Sequence, residues 1–304
     1  MKSGEEAFNQ FFLEVYGERW PQIYSSLKND DAKIARRNLF MSDDEISQLN
    51  VKGVGEAHPD ALNSFILNEE FNIDEINSSI IPYYRMDPAS LAPAYALSVE
   101  PGDLVLDMCA APGGKSLLLI EALTGAGQTE LDLSGKITAN ELSAKRRHRM
   151  MTVFKRYLPK EVRSIVNITG KDGAKFGLHN KESFHKILLD APCSGERGVV
   201  QKATELAAWK PKRSKSFGIR QYSLLSAAFM ALKPGGRIVY STCSLSPLEN
   251  DEVVKKLIKR QGSDSLKILD IEPNSYGDQT EFGMQFLPDK MGWGPIYYSM
   301  IEKN

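Results

Sequence analysis

The stretch LVLDMCAAPGGK, residues 104–115, has the pattern of a hydrophobic strand that turns through glycines into a helix. The strand ends at Asp107, and the run KSLLLIEAL after the turn is typical of a helix. Small residues in such a turn let the backbone approach a ligand closely, and free amides at a helix start favour polar or anionic groups. We therefore expect the turn to hold a nucleotide-like ligand rather than to serve packing alone.

The strand, turn and helix pattern repeats along the chain after Gly102. Hydrophobic segments alternate with helical ones, which predicts an α/β fold with a doubly wound, mostly parallel sheet. The predicted strands are 103–108, 136–140, 164–168, 185–190, 237–242 and 296–300. The predicted helices are 115–123, 143–157, 222–232 and 250–260. Ligands of such sheets bind at the carboxyl ends of the strands.

The first 79 residues have a different pattern. Aromatic and apolar residues recur at helical spacing between residues 5 and 50, and Gly, Pro, Asn and acidic residues become frequent from 51 to 79. We predict an N-terminal helical extension and an irregular connecting segment over residues 1–79, followed by the main domain over 80–304.

Composition and charge are those of an ordinary globular protein. The chain has 304 residues, of which 42% are hydrophobic and 25% charged, and a formal net charge of −1. This balance argues against a protein that simply coats nucleic acid, because such binding needs clustered Lys and Arg. No segment approaches the roughly 18 apolar residues of a membrane span, and the N-terminus lacks a secretory pattern. We expect no membrane contact and a cytoplasmic location, with the mitochondrial matrix left open.

The three cysteines, at positions 109, 193 and 243, are expected to be thiols. They are too few and too far apart for a disulfide scaffold, and none forms a CxxC pair. The four histidines lack the helical spacing of metal ligands. We therefore predict no metal site.

A second nucleotide-binding class, the P-loop NTPases, competes for the glycine turn. The run GKS at 114–116 and the run ILLD at 187–190 superficially imitate the two motifs of that class. The imitation fails at Cys109, where a P-loop needs Gly, and at Pro112, which removes an amide from the loop. An NTPase is therefore the second choice.

Acidic residues follow the second and third predicted strands. Glu141 comes 27 residues after Gly114, with the glycine-containing insertion 125–135 between them. A carboxylate at this place can accept hydrogen bonds from both hydroxyls of a ribose, or it is a surface acid. Asp172-Gly173 either meets an adenine ring or is a turn pair. The residues alone leave both alternatives open.

Two cysteines follow two later strands. Cys193 lies in DAPCSG at 190–195, and Cys243 lies in STCS at 241–244. Both leave carboxyl ends of strands expected to be neighbours, so both can face the crevice of the glycine turn. A lone Cys is usually a small buried hydrophobe, but two at one rim beside Asp190 indicate chemistry.

The chain resembles the Sun/RsmB family of RNA cytosine-5 methyltransferases. The segments CAAPGGK at 109–115, DAPCSG at 190–195 and YSTCS at 240–244 match that family's motifs in order and placement. The likeness extends to YYRMDPASLAPAYAL at 83–97 and PDKMGWGPIYY at 288–298. These flanking features are most similar to the branch with mitochondrial ribosomal-RNA and transfer-RNA enzymes.

The resemblance implies a Rossmann-like methyltransferase fold with a seven-stranded sheet, and S-adenosylmethionine as the cofactor. It implies that Cys243 is the nucleophile and that Cys193 helps to release the product, by removing the proton from C5. Glu141 departs from relatives that often have Asp, and the insertion before it is long. The residues that the resemblance places at the cofactor are Gly113, Gly114, Lys115, Glu141, Arg146, Asp172, Gly173 and Asp190.

Cytosine C5 is too weak a nucleophile to take a methyl group unaided. A thiolate that adds at C6 converts the ring to an enamine, and Cys suits this task. A free thiol has a pKa of about 8.5, so a helix start or a cation such as Lys115 is expected to lower it. A protonated Asp190 would donate to cytosine N3 and withdraw charge from the ring.

Two basic clusters are candidates for RNA contact. The cluster at 145–149 is best explained as a solvated helix face. For the second we expect phosphate contacts and base stacking, because the target cytosine must leave its stack. Without an obvious RNA-binding domain, recognition would use the N-terminal helices, this loop or a partner protein. The predicted RNA-binding residues of the second cluster are Trp209, Lys210, Lys212, Arg213 and Lys215.

We expect ribosomal RNA as the substrate ahead of transfer RNA. A noncatalytic protein of the methyltransferase fold, which binds RNA or a partner, is the third class. A DNA cytosine methyltransferase, which uses the thiol of the Pro-Cys pair, is a minor alternative.

Overall fold

The computed structural model describes residues 4–29, 33–128 and 130–304. Residues 1–3 and 30–32 of the predicted N-terminal extension, and residue 129 of the insertion, lie outside the described residues. The strands are β1 Ile34–Arg37, β2 Val54–Ala57, β3 Ser64–Leu67, β4 Tyr83–Met86, β5 Leu104–Asp107, β6 Lys136–Asn140, β7 Val166–Thr169, β8 Phe184–Asp190, β9 Leu232–Thr242, β10 Leu266–Leu269, β11 Gly277–Gln279, β12 Met284–Phe286 and β13 Ile296–Lys303. The α-helices are α1 Glu5–Tyr16, α2 Trp20–Lys28, α3 Asp43–Ser47, α4 Leu91–Ala96, α5 Gly114–Thr124, α6 Ala144–Tyr157, α7 Phe176–His179, α8 Glu196–Val200, α9 Ala203–Ala207, α10 Lys212–Ala231, α11 Asp251–Gln261 and α12 Pro288–Met291.

The main sheet has the order β11-β12-β13-β9-β8-β5-β6-β7, and β10 also pairs with β13. The five strands from β9 to β7 are parallel to one another, and β13 joins β9 antiparallel. The predicted doubly wound, mostly parallel sheet is confirmed. It has nine strands in the described ranges rather than the seven expected, because the three-residue strands β11 and β12 extend its antiparallel edge.

The central strands are buried on both faces. In β5, Val105 packs with α5 and α6 on one side, while Leu106 packs with α10 and α11 on the other. Such burial explains why the sequence of a central parallel strand is nearly continuously apolar. The carboxyl ends of these strands remain open between the two helical layers.

The N-terminal region corrects the prediction of a helical extension with an irregular connection. Strands β1 to β4 form a second, antiparallel sheet with the order β2-β3-β1-β4, and the expected division at residue 80 falls between β3 and β4. A buried ion pair between Arg36 of β1 and Glu121 fastens this sheet to α5. Each of these strands has only four residues, and sequences such as IARR do not alternate apolar and polar residues. The sequence therefore lacked the period-two pattern from which strands are predicted.

Helices α1 and α2 are amphipathic as predicted, and their apolar faces are buried. They pack against α8, α9 and the segment that follows β9. In the described part of the chain, no helix is long and apolar enough to cross a membrane. The buried members of this cluster are Ala7, Phe8, Phe12, Trp20, Ile23, Leu27, Val199, Val200, Leu206, Trp209, Leu245 and Leu287.

Candidate active site

An open crevice of about 640 Å³ lies at the carboxyl ends of β5, β8 and β9. It is lined by both motif cysteines and by residues of the glycine turn, including Cys109 and Lys115. A second compartment of about 340 Å³ lies over the ends of β6 and β7 and shares Cys109, Arg146 and Pro192 with the first. The structure therefore brings the three sequence motifs to one continuous site.

The two cysteine loops lie side by side. Strands β8 and β9 are parallel neighbours in which Asp190 pairs with Ser241, and the Ala191 N–H donates to the Ser241 carbonyl at 2.8 Å. Cys193 and Cys243 form a disulfide, with Cα atoms 6.3 Å apart. The expectation of thiols at these two positions is thus corrected, because adjacent strands bring together residues that are far apart in sequence. Nucleophilic chemistry requires the reduced form of this pair.

Cys109 is the third cysteine of the site, and it is not part of the disulfide. Burial, together with the nearby Asp107 carboxyl, raises the pKa of its thiol far above the ordinary value. Cys109 is therefore a neutral lining residue rather than a nucleophile.

Lys115 and Asp190 form an ion pair across the crevice. The Lys115 Nζ lies 2.7 Å from the Asp190 Oδ2, and both side chains are largely shielded from solvent. Asp190 thus accepts from Lys115 in this structure, whereas the sequence analysis predicted a proton donor at this position. Lys115 likewise contacts Asp190 rather than either motif cysteine, which corrects its expected role beside the thiol.

The second compartment gathers the expected nucleoside-binding residues. It is lined by Glu141, Arg146, Asp172 and Gly173 among others. Glu141 is 4% exposed, lies 3.0 Å from Arg146 and accepts from the Ser143 N–H at 2.8 Å. A fixed carboxylate at a strand end has the acceptors that a ribose diol needs, so these residues fit an adenosine group.

The glycines of the turn serve the backbone. Gly113 has a φ of +117°, which favours glycine, and a Cβ there would come 3.2 Å from the Phe154 ring of α6. A Cβ on Gly114 would come 2.6 Å from the Tyr84 ring. Gly113 and Gly114 therefore let β4 and α6 pack closely on the turn that lines the crevice.

Two buried acids behind the cysteines were missed by the sequence analysis. Glu196 and Glu249 are both 0% exposed, and both contact the hydroxyl of Ser194. The only signal in the sequence was their position, three and six residues after the two cysteines. An acidic residue near a loop is usually in contact with solvent, so the positions of these two acids did not predict that they would be buried at the site.

The predicted RNA cluster is divided by the structure. Trp209 is 1% exposed and packs against Phe8 and Phe12, so the prediction that it stacks on RNA is wrong. Arg213 is half-buried and donates to the Ser194 carbonyl at 3.1 Å. The exposed cations of the cluster are Lys210, Lys212 and Lys215.

Phe217 is an aromatic residue of the crevice that the sequence analysis did not select. It lies on α10 and lines the crevice together with both motif cysteines. Its signal was weak, since an aromatic residue in a helix is more often part of a core.

Metal ligation has no support in the described ranges. They contain no group of three or more His, Cys, Asp or Glu side chains arranged to hold a metal ion.

The sheet order, the glycine turn and the carboxylate at the end of β6 define a Rossmann-like, S-adenosylmethionine-dependent methyltransferase. Residues 94–302 match the family model described as "16S rRNA methyltransferase RsmB/F". The chain belongs to this family of RNA cytosine-5 methyltransferases, which confirms the predicted resemblance.

Individual relatives agree with this assignment. The 5-cytosine rRNA methyltransferase NSUN4 of Bos taurus is 32% identical over 96% of this chain and 86% of its own length. The mitochondrial tRNA (cytosine(34)-C(5))-methyltransferase of Danio rerio is 33% identical over 73% of this chain and 60% of its own length. A crystal structure of a methyltransferase homolog protein from Pyrococcus horikoshii gives a TM-score of 0.77 at 27% identity, over 98% of this chain and 94% of that one.

Proposed function

We propose that this enzyme methylates C5 of an RNA cytosine through a covalent bond between the Cys243 sulfur and C6 of the base. Cys193 helps to resolve the adduct. The observation that carries the proposal is the meeting of two cysteine loops and the glycine turn at one crevice of a methyltransferase sheet.

The roles of the cysteines follow from the chemistry. The Cys243 thiolate forms the S–C6 bond, and C5, now part of an enamine, can take a methyl group. When bound, S-adenosylmethionine supplies that methyl group. Cys193 removes the proton from C5, and the returning electron pair breaks the S–C6 bond and releases Cys243.

Lys115 and Asp190 are proposed to hold the base edge. Their ion pair presents one donor and one acceptor side by side. Cytosine offers the complementary acceptor N3 and donor N4, whereas uracil offers the opposite order. Asp190 thus remains an electrostatic helper, but it accepts from N4 while Lys115 donates to N3.

The cofactor would occupy the second compartment. Glu141 would accept from the ribose hydroxyls while Arg146 holds the carboxylate in place, since the two side chains form an ion pair at 3.0 Å. Asp172 and Gly173 lie at the end of β7, where an adenine would meet them. Gly113 and Gly114 shape the turn that faces the reacting part of the cofactor.

RNA is proposed to run over the exposed cations beside the crevice. Lys210, Lys212 and Lys215 lie at or just before the start of α10. Lys215 also lines a groove of about 430 Å³ between α10 and α11. Phosphate contacts there would fix the register of the strand, while Phe217 stacks on the displaced base. The groove adds the exposed residues Lys255, Lys256 and Lys259.

Ribosomal RNA is the preferred substrate, because two relatives that match 96% and 97% of this chain are named for rRNA. The transfer-RNA relative is named as mitochondrial, which supports the mitochondrial matrix over the expected cytoplasm. Fractionation of the source cells tests this compartment. A protein partner stays a proposal, to be tested by adding cell extract to a purified methyl-transfer reaction.

The test of the function is transfer of a radiolabelled methyl group from S-adenosylmethionine to RNA. Bisulfite sequencing of rRNA and tRNA from a deletion strain then locates the cytosine. Labelling of DNA but not RNA would overturn the proposal. ATP hydrolysis without methyl transfer would instead support the alternative class, a P-loop NTPase. Cofactor binding with no transfer to any RNA of the source cell would indicate a noncatalytic protein.

A further inference from the structure

Glu196 and Glu249 form a buried pair of acids that connects the two cysteine loops. Ser194 directly follows Cys193, and its N–H donates to the Glu249 Oε2 at 2.9 Å. The Leu245 N–H, two residues after Cys243, donates to the Glu196 Oε2 at 2.9 Å. Each loop is thus held by one of the two acids, and the acids meet at one hydroxyl.

The Ser194 hydroxyl determines how many protons the two carboxyl groups carry between them. The Ser194 Oγ lies within hydrogen-bond distance of the Glu196 Oε1 and of the Glu249 Oε1. A hydroxyl has a single hydrogen and can donate to one carboxylate only. The second acid can bind the same oxygen only as a donor, which requires a protonated carboxyl group.

The surroundings identify the protonated member. The Glu249 Oε2 accepts from the Ser194 N–H and also from the Gln221 amide at 3.0 Å, which stabilises a negative charge. Glu196 accepts one backbone N–H at its Oε2, and the Ser244 hydroxyl lies at a longer 3.4 Å from its Oε1. Burial and the adjacent Glu249 charge raise the pKa of Glu196 to about 7. Glu196 is therefore the donor to Ser194.

The other groups around the pair are neutral or point elsewhere. Arg213 donates to the Ser194 carbonyl, and Tyr16 donates to the Leu245 carbonyl at 2.7 Å. Tyr240 donates to the Glu249 backbone carbonyl, and burial raises the pKa of its phenol. In the described ranges no Lys, Arg or His side chain is seen in an ion pair with either acid. The proton, rather than a cation, keeps two carboxyl groups together here.

We propose that Glu196 and Glu249 are positioning residues that share one proton, and that this proton holds the Cys193 and Cys243 loops in the arrangement needed for methyl transfer. This inference rests on the proposed function. Loss of the proton leaves two buried negative charges at one hydroxyl, and their repulsion moves the loops apart. If only the Cys243 thiolate controlled methyl transfer, the rate would rise with pH and then level off. Loss of the shared proton adds a decrease in this rate at alkaline pH.

The experiment compares single-turnover methyl transfer from pH 6 to pH 9, with reductant present, for the wild type, Glu196→Gln and Glu249→Gln. Glutamine at 196 supplies a permanent N–H donor to Ser194, so the alkaline fall should disappear. Glutamine at 249 removes the charge that receives the Ser194 hydrogen, so the rate should fall about tenfold at every pH. The KM for S-adenosylmethionine should stay within about twofold in both, because neither acid lines the cofactor compartment.

The exposed Glu161→Gln is the control for loss of a charge elsewhere. An alkaline fall that persists in Glu196→Gln, or equal rates for Glu249→Gln and the wild type, would overturn the shared proton. So would a raised cofactor KM with an unchanged pH profile, which would indicate a general structural defect.

A second measurement does not depend on methyl transfer. The folded wild type keeps Glu196 protonated up to about pH 7, whereas the unfolded chain ionises it near 4.5, so this site loses stability as pH rises between those values. The thermal midpoint of Glu196→Gln should therefore gain on that of the wild type from pH 5 to pH 8. If the wild type transfers no methyl group, the proposed function fails while this measurement still tests the pair; a constant difference in midpoint refutes the pair alone.

Discussion

The loop after β8 and the loop after β9 each present a cysteine to the crevice, yet they hold it differently. Cys243 is exposed, whereas Cys193 is half-buried and precedes Ser194, which is 2% exposed and bound to both buried acids. An exposed thiol can reach the face of a base, and an anchored thiol can keep a fixed distance for proton transfer. The contrast in anchoring supports different roles for two chemically identical side chains.

Replacing each cysteine breaks the comparison most directly. Cys243→Ala should lower methyl transfer by about a thousandfold or more, because no other group can form the bond to C6. Cys193→Ala should instead accumulate a covalent protein–RNA adduct, seen as a shifted band on a denaturing gel. The wild-type reference needs reductant, since its two sulfur atoms are joined in the structure, whereas neither variant can form that bond. Exchanged phenotypes would reverse the roles, and cofactor binding by each variant is the control for folding.

Two aromatic residues near the crevice should differ in the next test. Phe217→Ala should lower kcat/KM for RNA by about 5- to 150-fold, the range expected when one base loses a stacking partner. Trp209→Phe should leave RNA affinity unchanged and lower stability instead, because Trp209 is enclosed by α1. Filter binding and urea unfolding separate the two results. Loss of RNA affinity in the Trp209 variant alone would restore the original prediction.

The two serines measure how strongly each loop is anchored. Ser194→Ala removes the hydroxyl that both acids share and should cost about 2–3 kcal/mol of unfolding free energy. Ser244→Ala removes the hydrogen bond accepted from the Ser246 N–H at 3.0 Å and longer contacts of 3.2 Å to Ser194 and 3.4 Å to Glu196, and should cost about 1 kcal/mol. Urea titration at pH 7 gives both values. Equal costs would mean that the loops are anchored alike.

The smallest expected effect concerns the basic groove beside the loops. Replacing Lys215, Lys256 and Lys259 by Ala should weaken RNA binding and reduce the slope of log K against log salt by about 2, at about 0.7 per lost phosphate contact on a single strand. Lys136 and Lys181 lie near the amino ends of β6 and β8, at the opposite edge of the sheet. Replacing these two serves as the matched control. An equal slope change in the control would remove the groove from the RNA path.

The sequence was sufficient to predict most of the residues at the carboxyl ends of the parallel strands, but little of the structure of the N-terminal region. Strand-end placement alone put Cys193 and Cys243 in one crevice, because the parallel strands have long apolar runs that only a buried sheet explains. The four-residue strands β1 to β4 have no such run, so their sheet was missed. Trp209 was misjudged because its neighbours in sequence are lysines, while its neighbours in space come from α1, about 200 residues earlier.

No sequence pattern could have predicted the ion pairs or the contacts of the buried acids. A loop glutamate is normally solvated, and nothing local to Glu196 or Glu249 shows that both face one hydroxyl. Family resemblance supplied the roles of the cysteines, and the structure supplied the partner of Lys115. That partner, Asp190, changed the expected contact with the base.

The aromatic cluster that joins α1 and α2 to the cysteine loops has a consequence for biosynthesis. Phe8 and Phe12 leave the ribosome before Trp209 and Leu245, which cover them and are made about 200 residues later. At 5–20 residues per second this delay is roughly 10 to 40 s. For that time the apolar faces of the first helices lack their native cover, so the nascent chain offers an early binding site to chaperones. A segment made early is thus among the last to reach its final contacts.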